Sequence, residues 1–384
     1  MKICLLGFEN LPVLAPEYRE HSIGGESVQQ TLLARALARR GHEVSMVVYD
    51  YGQADGARWS GVRVHKAYAT GAGLPVLRFV HPRITSLWSA LKRADADVYY
   101  TSCAGMQVAV VALFCRRYGR RFVFRTASDS DCDPSRLLVQ YARDRWLYGW
   151  GLRRADAILV QSVAQARTLA HCYGLEGRVA GMLVEAPRAC AVRDIDVLWV
   201  SNIRREKRPD RLLEIADRMP GCRIHMVGGP LAGCGALFEG ISRSVAQRPN
   251  VFFHGALPYW DANELYSRAR VFVNTSDVEG FPNSYLQSWV RGVPVVTLID
   301  PDGVIAREGL GTHVASPQDL PAAISALLDD PARWQAASER CVTWMAREHG
   351  EDKVLAQYLD TFERVTRRDG PDPRALLPGK ARHA

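Results

Sequence analysis

Short apolar, β-branched runs alternate with amphipathic helical stretches along this chain, and the alternation breaks once and starts afresh. Strands that alternate with helices pair in parallel, because each helix carries the chain back to the starting end of the sheet. The first series predicts strands at 2–7, 43–49, 98–101, 121–125 and 157–161. A helix is expected from about Glu26 to Arg40, with Leu32, Leu33, Ala36 and Leu37 as its apolar stripe and Gly41 at its C-terminal cap. Around Val184 to Ile195 the pattern fails, and Glu185-Ala-Pro-Arg and Arg193-Asp-Ile-Asp read as a linker. The second series opens with Asp196-Val-Leu-Trp-Val200. It continues with a helix near 209–219 and strands at 223–228, 251–254, 271–275 and 294–298. At 384 residues the chain exceeds one ordinary core. The expected fold class is α/β, with two Rossmann-like, doubly wound parallel-sheet domains at 1–188 and 189–349.

Composition narrows the function. Hydrophobic content of 47% and charged content of 23% suit a soluble globular protein. The opening Met1-Lys-Ile-Cys-Leu-Leu-Gly reads as a strand rather than a signal peptide, since its apolar run stops at Glu9. No run of about 18 apolar residues predicts a membrane span. The nine cysteines form no Cys-x-x-Cys pair, which argues for reduced thiols, a cytoplasmic location and no zinc site. The net charge of +8 is uneven: residues 1–188 hold 25 Lys+Arg against 16 Asp+Glu, and the remainder 24 against 25. Basic residues cluster at Arg116, Arg117, Arg120 and Arg121, and a basic and aromatic stretch runs from Arg78-Phe79 through Trp88 to Arg93. Such a face attracts anionic surfaces, a peripheral place on the inner membrane face among them, although solvated helix faces account for it equally. No nucleic-acid motif accompanies the charge.

The most informative segment is Glu279-Gly-Phe-Pro-Asn-Ser-Tyr-Leu-Gln287. It follows the apolar run Val271 to Ser276 and precedes Gly292 and the strand 293–298. Pro282 suits the first turn of a helix, and Gly292 ends it. The order is strand, acidic loop, helix N-terminus, strand. Free N–H groups at the helix start suit a diphosphate, and a carboxylate beside them suits sugar hydroxyls.

This segment resembles the Glu-x7-Glu signature of retaining, GT-B-type glycosyltransferases of family 4, written E-G-[FL]-P-x4-E. Glu279, Gly280, Phe281 and Pro282 match residue for residue, whereas Gln287 stands where the second Glu belongs. The resemblance implies the GT-B plan, two such domains facing a central cleft, with helix 350–366 returning to the first domain. Val354, Leu355, Tyr358, Leu359 and Phe362 give that helix an apolar stripe for docking, and the Pro, Gly and basic tail 367–384 reads as disordered. It implies that Glu279 supports the donor sugar and that Gln287 contacts the ribose through an amide without charge. Gly280, Phe281, Pro282 and Asn283 fall beside them as donor contacts.

The same resemblance assigns the remaining positions. Gly24-Gly25, before the first helix, is similar to a glycine pair that faces the donor diphosphate, and it is not a dinucleotide fingerprint. Lys207 matches the Lys of the family's Gly-Arg-x-x-x-x-Lys-Gly loop, but its Arg position is Asn202, so Arg204 or Arg205 is expected to reach the phosphate instead. Backbone after His254-Gly255 is expected at the nucleobase, with His254 itself packed. The cluster Asp129, Asp131 and Asp133 reads as acceptor-side chemistry or a loop cap, and no metal is expected. Tyr100-Thr-Ser-Cys-Ala-Gly105 lacks the His that many members carry there, which leaves Ser102 or Asp129 as acceptor-side candidates.

The expected function is transfer of a sugar from a nucleotide-diphosphate donor to an acceptor hydroxyl, with retention and without a metal. A lipid-linked glycan in polysaccharide or lipopolysaccharide assembly is the expected acceptor. Two alternatives stand beside it: a catalytically silent nucleotide-sugar-binding partner of another transferase, and a sugar-nucleotide epimerase on the same plan.

Overall fold

The computed structural model describes residues 1–20, 24–74, 78–185, 187, 192–231 and 233–367. Part of the linker (186 and 188–191) and the tail from 368 onward lie outside the described residues. The first half builds an eight-stranded sheet: β1 (Lys2–Leu6), β2 (Glu43–Val48), β3 (Arg58–Trp59), β4 (Val62–Lys66), β5 (Val98–Ser102), β6 (Arg121–Arg125), β7 (Ala157–Val160) and β8 (Arg178–Val179). Its order is β3-β4-β2-β1-β5-β6-β7-β8, parallel throughout except for the β3–β4 hairpin. The second half builds a six-stranded parallel sheet from β9 (Ile195–Val200), β10 (Ile224–Val227), β11 (Val251–Phe253), β12 (Ala269–Asn274), β13 (Val295–Thr297) and β14 (Gly311–His313), in the order β11-β10-β9-β12-β13-β14.

Burial on both faces explains the near-continuous apolar strands. Cys4 and Leu6 pack into one core and Ile3 and Leu5 into the opposite one, and β9 divides between two cores in the same way. The β3–β4 hairpin and the short edge strands β8 and β14 are additions to the predicted set. The helix Gly25–Arg39 buries its apolar stripe, and Gly41 follows at φ +82. The helix at the signature begins at Asn283, one residue later than expected: Pro282 takes extended ψ and is the capping residue.

The final helix, Glu351–Arg367, packs on the first sheet. Val354, Leu355, Tyr358, Phe362 and Val365 are buried in that sheet's core. Each large apolar side chain so buried stabilises the crossover by about 1.5–3 kcal/mol. Arg178 and Asp360 meet at 2.9 Å beside it, and the Tyr358 hydroxyl donates to the Gly181 carbonyl at 3.3 Å.

Strand order reverses in each sheet at one place, between β1 and β5 in the first and between β9 and β12 in the second. Loops at the carboxyl ends of strands part at such switch points and leave a crevice. The two crevices face each other across an open cleft of about 580 Å³. A smaller cavity of about 470 Å³, lined by Lys2, Gly41, Arg58 and Arg63, opens at the amino ends of β1 and β2, away from both switch points.

Candidate active site

The loop after β9 and the loop after β12 are fastened together, and this sets the geometry of the site. The Trp199 indole donates to Thr275 Oγ1 at 2.9 Å, and the Thr275 hydroxyl donates to the Lys207 carbonyl at 2.8 Å. The Asp277 amide donates to the Glu206 carbonyl at 2.8 Å, and the Arg211 guanidinium to the Thr275 carbonyl at 2.8 Å. Held between these straps, Lys207 Nζ lies 2.6 Å from both carboxylate oxygens of Glu279. The two side chains are only 12% and 11% exposed. Glu279 Oε1 also accepts from Ser276 Oγ at 2.7 Å and Asn274 Nδ2 at 3.1 Å, so its orientation is settled before any ligand arrives, and Oε2 receives Lys207 only.

The first domain meets this pair closely. The Phe281 amide donates to Gln161 Oε1 at 3.0 Å. A Cβ on Gly280 would stand 2.7 Å from the same oxygen, and one on Gly25 would stand 2.4 Å from Asn283 Nδ2. The two domains approach closely at both positions, and a side chain at either would have to displace the Asn283 or Gln161 amide. The Phe281 ring turns away from the cleft and packs on Trp289 and Trp344. Asp302 adds a second tie by accepting the amides of Val163 and Ala164 at 2.8 and 3.0 Å, at the start of a first-domain helix.

Most of the expected site residues line one cleft: Gly24, Gly25, Arg204, Lys207, Glu279, Gly280, Phe281, Pro282, Asn283 and Gln287. Four do not. Arg205 is exposed in a short 3-10 turn, because consecutive side chains in such a turn diverge; Arg204 Nε, by contrast, is buried without a partner among the described residues. Gly255 sits at φ +66, and its carbonyl accepts the Gly228 amide at 2.8 Å; Ala256 and Leu257 line the cleft in its place. Ser102 is buried at the end of β5, where it accepts from Gln30. Asp129 lies behind the lining, where its carboxylate accepts from Gln165 at 2.9 Å; burial raises its pKa, while that bond lowers it.

The three aspartates diverge. Asp131 accepts the Ala127 amide at 2.8 Å, and burial pushes its pKa up to about 6. Asp133 caps Ser135, and among the described residues no three His, Cys, Asp or Glu side chains converge as a metal cluster would. His254 is exposed rather than packed, and its ring pairs with His225 at 3.0 Å. Gln287 is buried with its amide engaged at both ends: Nε2 donates to the Tyr259 hydroxyl at 3.0 Å, and Oε1 accepts from Arg291 at 2.9 Å.

The cleft also holds residues that sequence reasoning passed over. Gly228 and Gly229 follow β10, and a Cβ on Gly228 would strike the Ser201 carbonyl at 2.0 Å; the Gly-Gly-Pro after a predicted strand was the available signal. Glu26 lines the opposite wall and pairs with Arg125, whose Nη1 donates to Glu26 Oε2 at 3.2 Å.

Comparison with known proteins agrees with this plan. Residues 24–184 match the Glycosyl transferase 4-like domain, and residues 194–330 match the Glycosyl transferases group 1 domain. The O-antigen biosynthesis glycosyltransferase WbnH of Escherichia coli is 29% identical over 126 residues, 32% of this chain and 34% of that protein. The probable O-antigen biosynthesis glycosyltransferase WbiN of the same organism matches to the same extent, so the match spans about a third of these relatives' length. Sucrose-phosphate synthase from Thermosynechococcus elongatus superposes with a TM-score of 0.75 at 17% identity, over 94% of this chain and 98% of that one. Anabaena HepE, solved with UDP-glucose, gives 0.72 at 14% identity over 95% and 100%. Two glycosyl transferase domains in tandem, folded as facing doubly wound sheets, place this chain among the GT-B glycosyltransferases.

Proposed function

We propose that this chain transfers a sugar from a nucleoside-diphosphate sugar to an acceptor hydroxyl with retention at the anomeric carbon, as a family 4 enzyme. The observation that carries this reading is the Lys207–Glu279 pair, part-buried at the switch point of the second sheet. The bond between anomeric carbon and phosphate oxygen breaks, and a bond from the acceptor oxygen forms on the same face. The departing phosphate oxygen takes the acceptor proton, so no protein base is required. Lys207 and Arg204 meet the growing charge on the diphosphate, helped by the amides at the start of the helix Gly25–Arg39. Glu279 Oε2 holds the donor sugar's hydroxyls.

Melting shifts across UDP-, GDP-, ADP- and TDP-sugars test the reading. One base should stabilise selectively, since a ligand at 100 times its Kd adds about 2.7 kcal/mol to the folded state; no shift with any of them would remove the reading. With cations supplied by side chains, excess EDTA should leave turnover unchanged, and a rate restored only by Mg²⁺ would contradict that assignment. The prior engagement of Gln287 by Arg291 and Tyr259 favours one other reading, a silent partner that binds donor without turnover. The same donor, incubated with wild-type protein and scored for nucleoside-diphosphate release, separates the two.

For the acceptor, a lipid-linked glycan of cell-surface polysaccharide assembly fits best. The relatives are named for O-antigen biosynthesis, WbiN as a probable case, and the first domain exposes large apolar side chains close in sequence to basic ones. Leu138, Tyr141 and Trp146 are 70%, 57% and 65% exposed. They stand among the exposed Arg136, Arg143 and Arg145, and the Arg143 guanidinium covers the Phe79 ring at 3.5 Å. Trp and Tyr suit a headgroup layer, and each Arg near an anionic surface contributes about 1 kcal/mol. Among the described residues no helix is long and apolar enough to cross a membrane. The protein should float with phosphatidylglycerol vesicles at low salt, and the double variant Arg143→Ala/Trp146→Ala should stay at the bottom of the gradient. Equal flotation of both proteins, or of neither, would count against a role for these side chains.

A further inference from the structure

The Glu26–Arg125 pair has more polar atoms than partners. Glu26 lies in the first turn of Gly25–Arg39, where the helix dipole favours a carboxylate, and its side chain is 14% exposed at the wall of the cleft. Arg125 ends β6 and is fully buried beneath it, near Tyr100 and Tyr358. One hydrogen bond joins them, through Glu26 Oε2. Among the described residues, Glu26 Oε1, Arg125 Nε and Arg125 Nη2 are all buried without a hydrogen-bond partner. The Ser102 hydroxyl stands beside Glu26 and accepts from Gln30, whose own Oε1 accepts from Asn10 at 2.9 Å. A polar chain thus runs through the first domain to the Glu26 carboxylate, where Ser102 stands close enough to lower its pKa and no described residue completes a hydrogen bond to Oε1.

Fold stability does not call for this arrangement, because an apolar pair of similar volume is often at least as stable as a buried ion pair. A missing ligand group does. The diphosphate is excluded, since a carboxylate repels it. The complement of an idle carboxylate oxygen is a hydroxyl. Donor-sugar hydroxyls fall to Glu279 on the second domain, while Glu26 stands on the first domain, one residue from the point where Gly25 meets Asn283. We infer that the Glu26 carboxylate, which borders the cleft, turns its unpaired oxygen to accept a hydrogen bond from a hydroxyl of the incoming acceptor and orients it towards the anomeric carbon. Arg125 is the positioning residue that holds the carboxylate in place. The inference rests on the transferase reading and adds the acceptor contact to it.

The test uses full-length protein, the nucleotide sugar that most stabilises the wild type, and an Escherichia coli membrane lipid extract as acceptor pool. Three quantities are read: the donor-induced melting shift, slow hydrolysis of the donor by water, and extract-stimulated turnover. Glu26→Gln should keep the first two within about twofold and lower the third at least ~100-fold, as loss of one preorganised charged contact does. Glu26→Asp keeps the charge but withdraws it by one methylene, and should recover part of the stimulation with a raised acceptor KM. Stimulation unchanged in Glu26→Gln would overturn the inference. So would parallel loss of donor binding and hydrolysis, which would make Glu26 a donor contact. Melting without ligand shows whether each variant folds. A wild type that no nucleotide sugar stabilises would instead remove the transferase reading itself, and one that the extract fails to stimulate would remove the lipid-acceptor reading together with this contact.

Discussion

Glu279→Ala is expected to lower transfer at least ~1,000-fold while the protein still folds. The carboxylate holds the Lys207 ammonium at 2.6 Å and is itself held by Ser276 and Asn274. On the proposed transferase reading, its removal takes away the donor-sugar contact and, in the same step, the group that fixes the Lys207 ammonium. One preorganised donor or charge at a reacting centre is worth about 100–1,000-fold in kcat, and here two are disturbed. The folding cost is smaller, about 1–3 kcal/mol, because the groups left unpaired border an open cleft that water can enter. Glu279→Gln separates the effects: the amide can still bond Ser276, but Lys207 loses its counter-charge. Its rate should fall between those of wild type and the alanine variant. The measurement is nucleoside-diphosphate release at saturating donor, and alanine-variant turnover within tenfold of wild type would sink the assignment.

How far the site could be read in advance follows physical range. The strand, loop, helix and strand around Glu279 depend on local period and on Pro and Gly punctuation, and all appear within a residue or two of the expected bounds. Side-chain direction is less legible. Arg204 and Arg205 are equivalent in sequence, yet the turn sends Arg204 into the cleft and Arg205 outward. Gln287 has the right spacing, but its neighbours Arg291, one helical turn on, and Tyr259, from another helix, occupy both ends of its amide. Contacts between distant elements were least visible: Arg125 looks like the polar end of a strand until Glu26, on a helix 99 residues away, is set against it. The available hint was a charged residue closing the run Arg-Phe-Val-Phe-Arg, which is otherwise buried on both faces.

Topology explains why these distant residues meet. β1 and β5 bracket the first switch point, so the helix after β1 begins where β5 and β6 end. β9 and β12 do the same in the second sheet and deliver Lys207 and Glu279. The cleft therefore has an ion-paired carboxylate on each wall, Glu279 with Lys207 and Glu26 with Arg125. The walls differ in solvation: Lys207 borders the cleft, whereas Arg125 is wholly enclosed. The first pair can rearrange around a ligand, whereas in the second Arg125 cannot move without unpacking β6.

That enclosure makes Arg125→Met the substitution with the largest expected effect on stability. Methionine fills much of the space but leaves the Glu26 carboxylate buried without its counter-charge. Removing one partner of a buried pair costs about 3–5 kcal/mol, which for domains of this size corresponds to roughly 10 °C in melting temperature. The loss should depend on pH in a defined sense. Burial already raises the Glu26 pKa above its ordinary value, and Arg125 opposes that rise. Without the guanidinium the folded-state pKa climbs further. A carboxyl whose pKa is raised on folding adds most stability below its ordinary pKa, and that contribution is lost as pH rises through the folded value. The deficit of Arg125→Met should therefore be largest at neutral pH and should shrink towards the ordinary carboxylate range, where Glu26 is protonated in both proteins. Adding Glu26→Leu removes the stranded charge, so the double variant should regain most of the lost melting temperature at pH 7.5 and still fail to transfer. Thermal melts of the three proteins between about pH 4.5 and 8 decide the matter. A single variant that melts within about 2 °C of wild type at neutral pH, or a double variant no more stable than the single one, would mean that the pair is not the buried electrostatic unit described here.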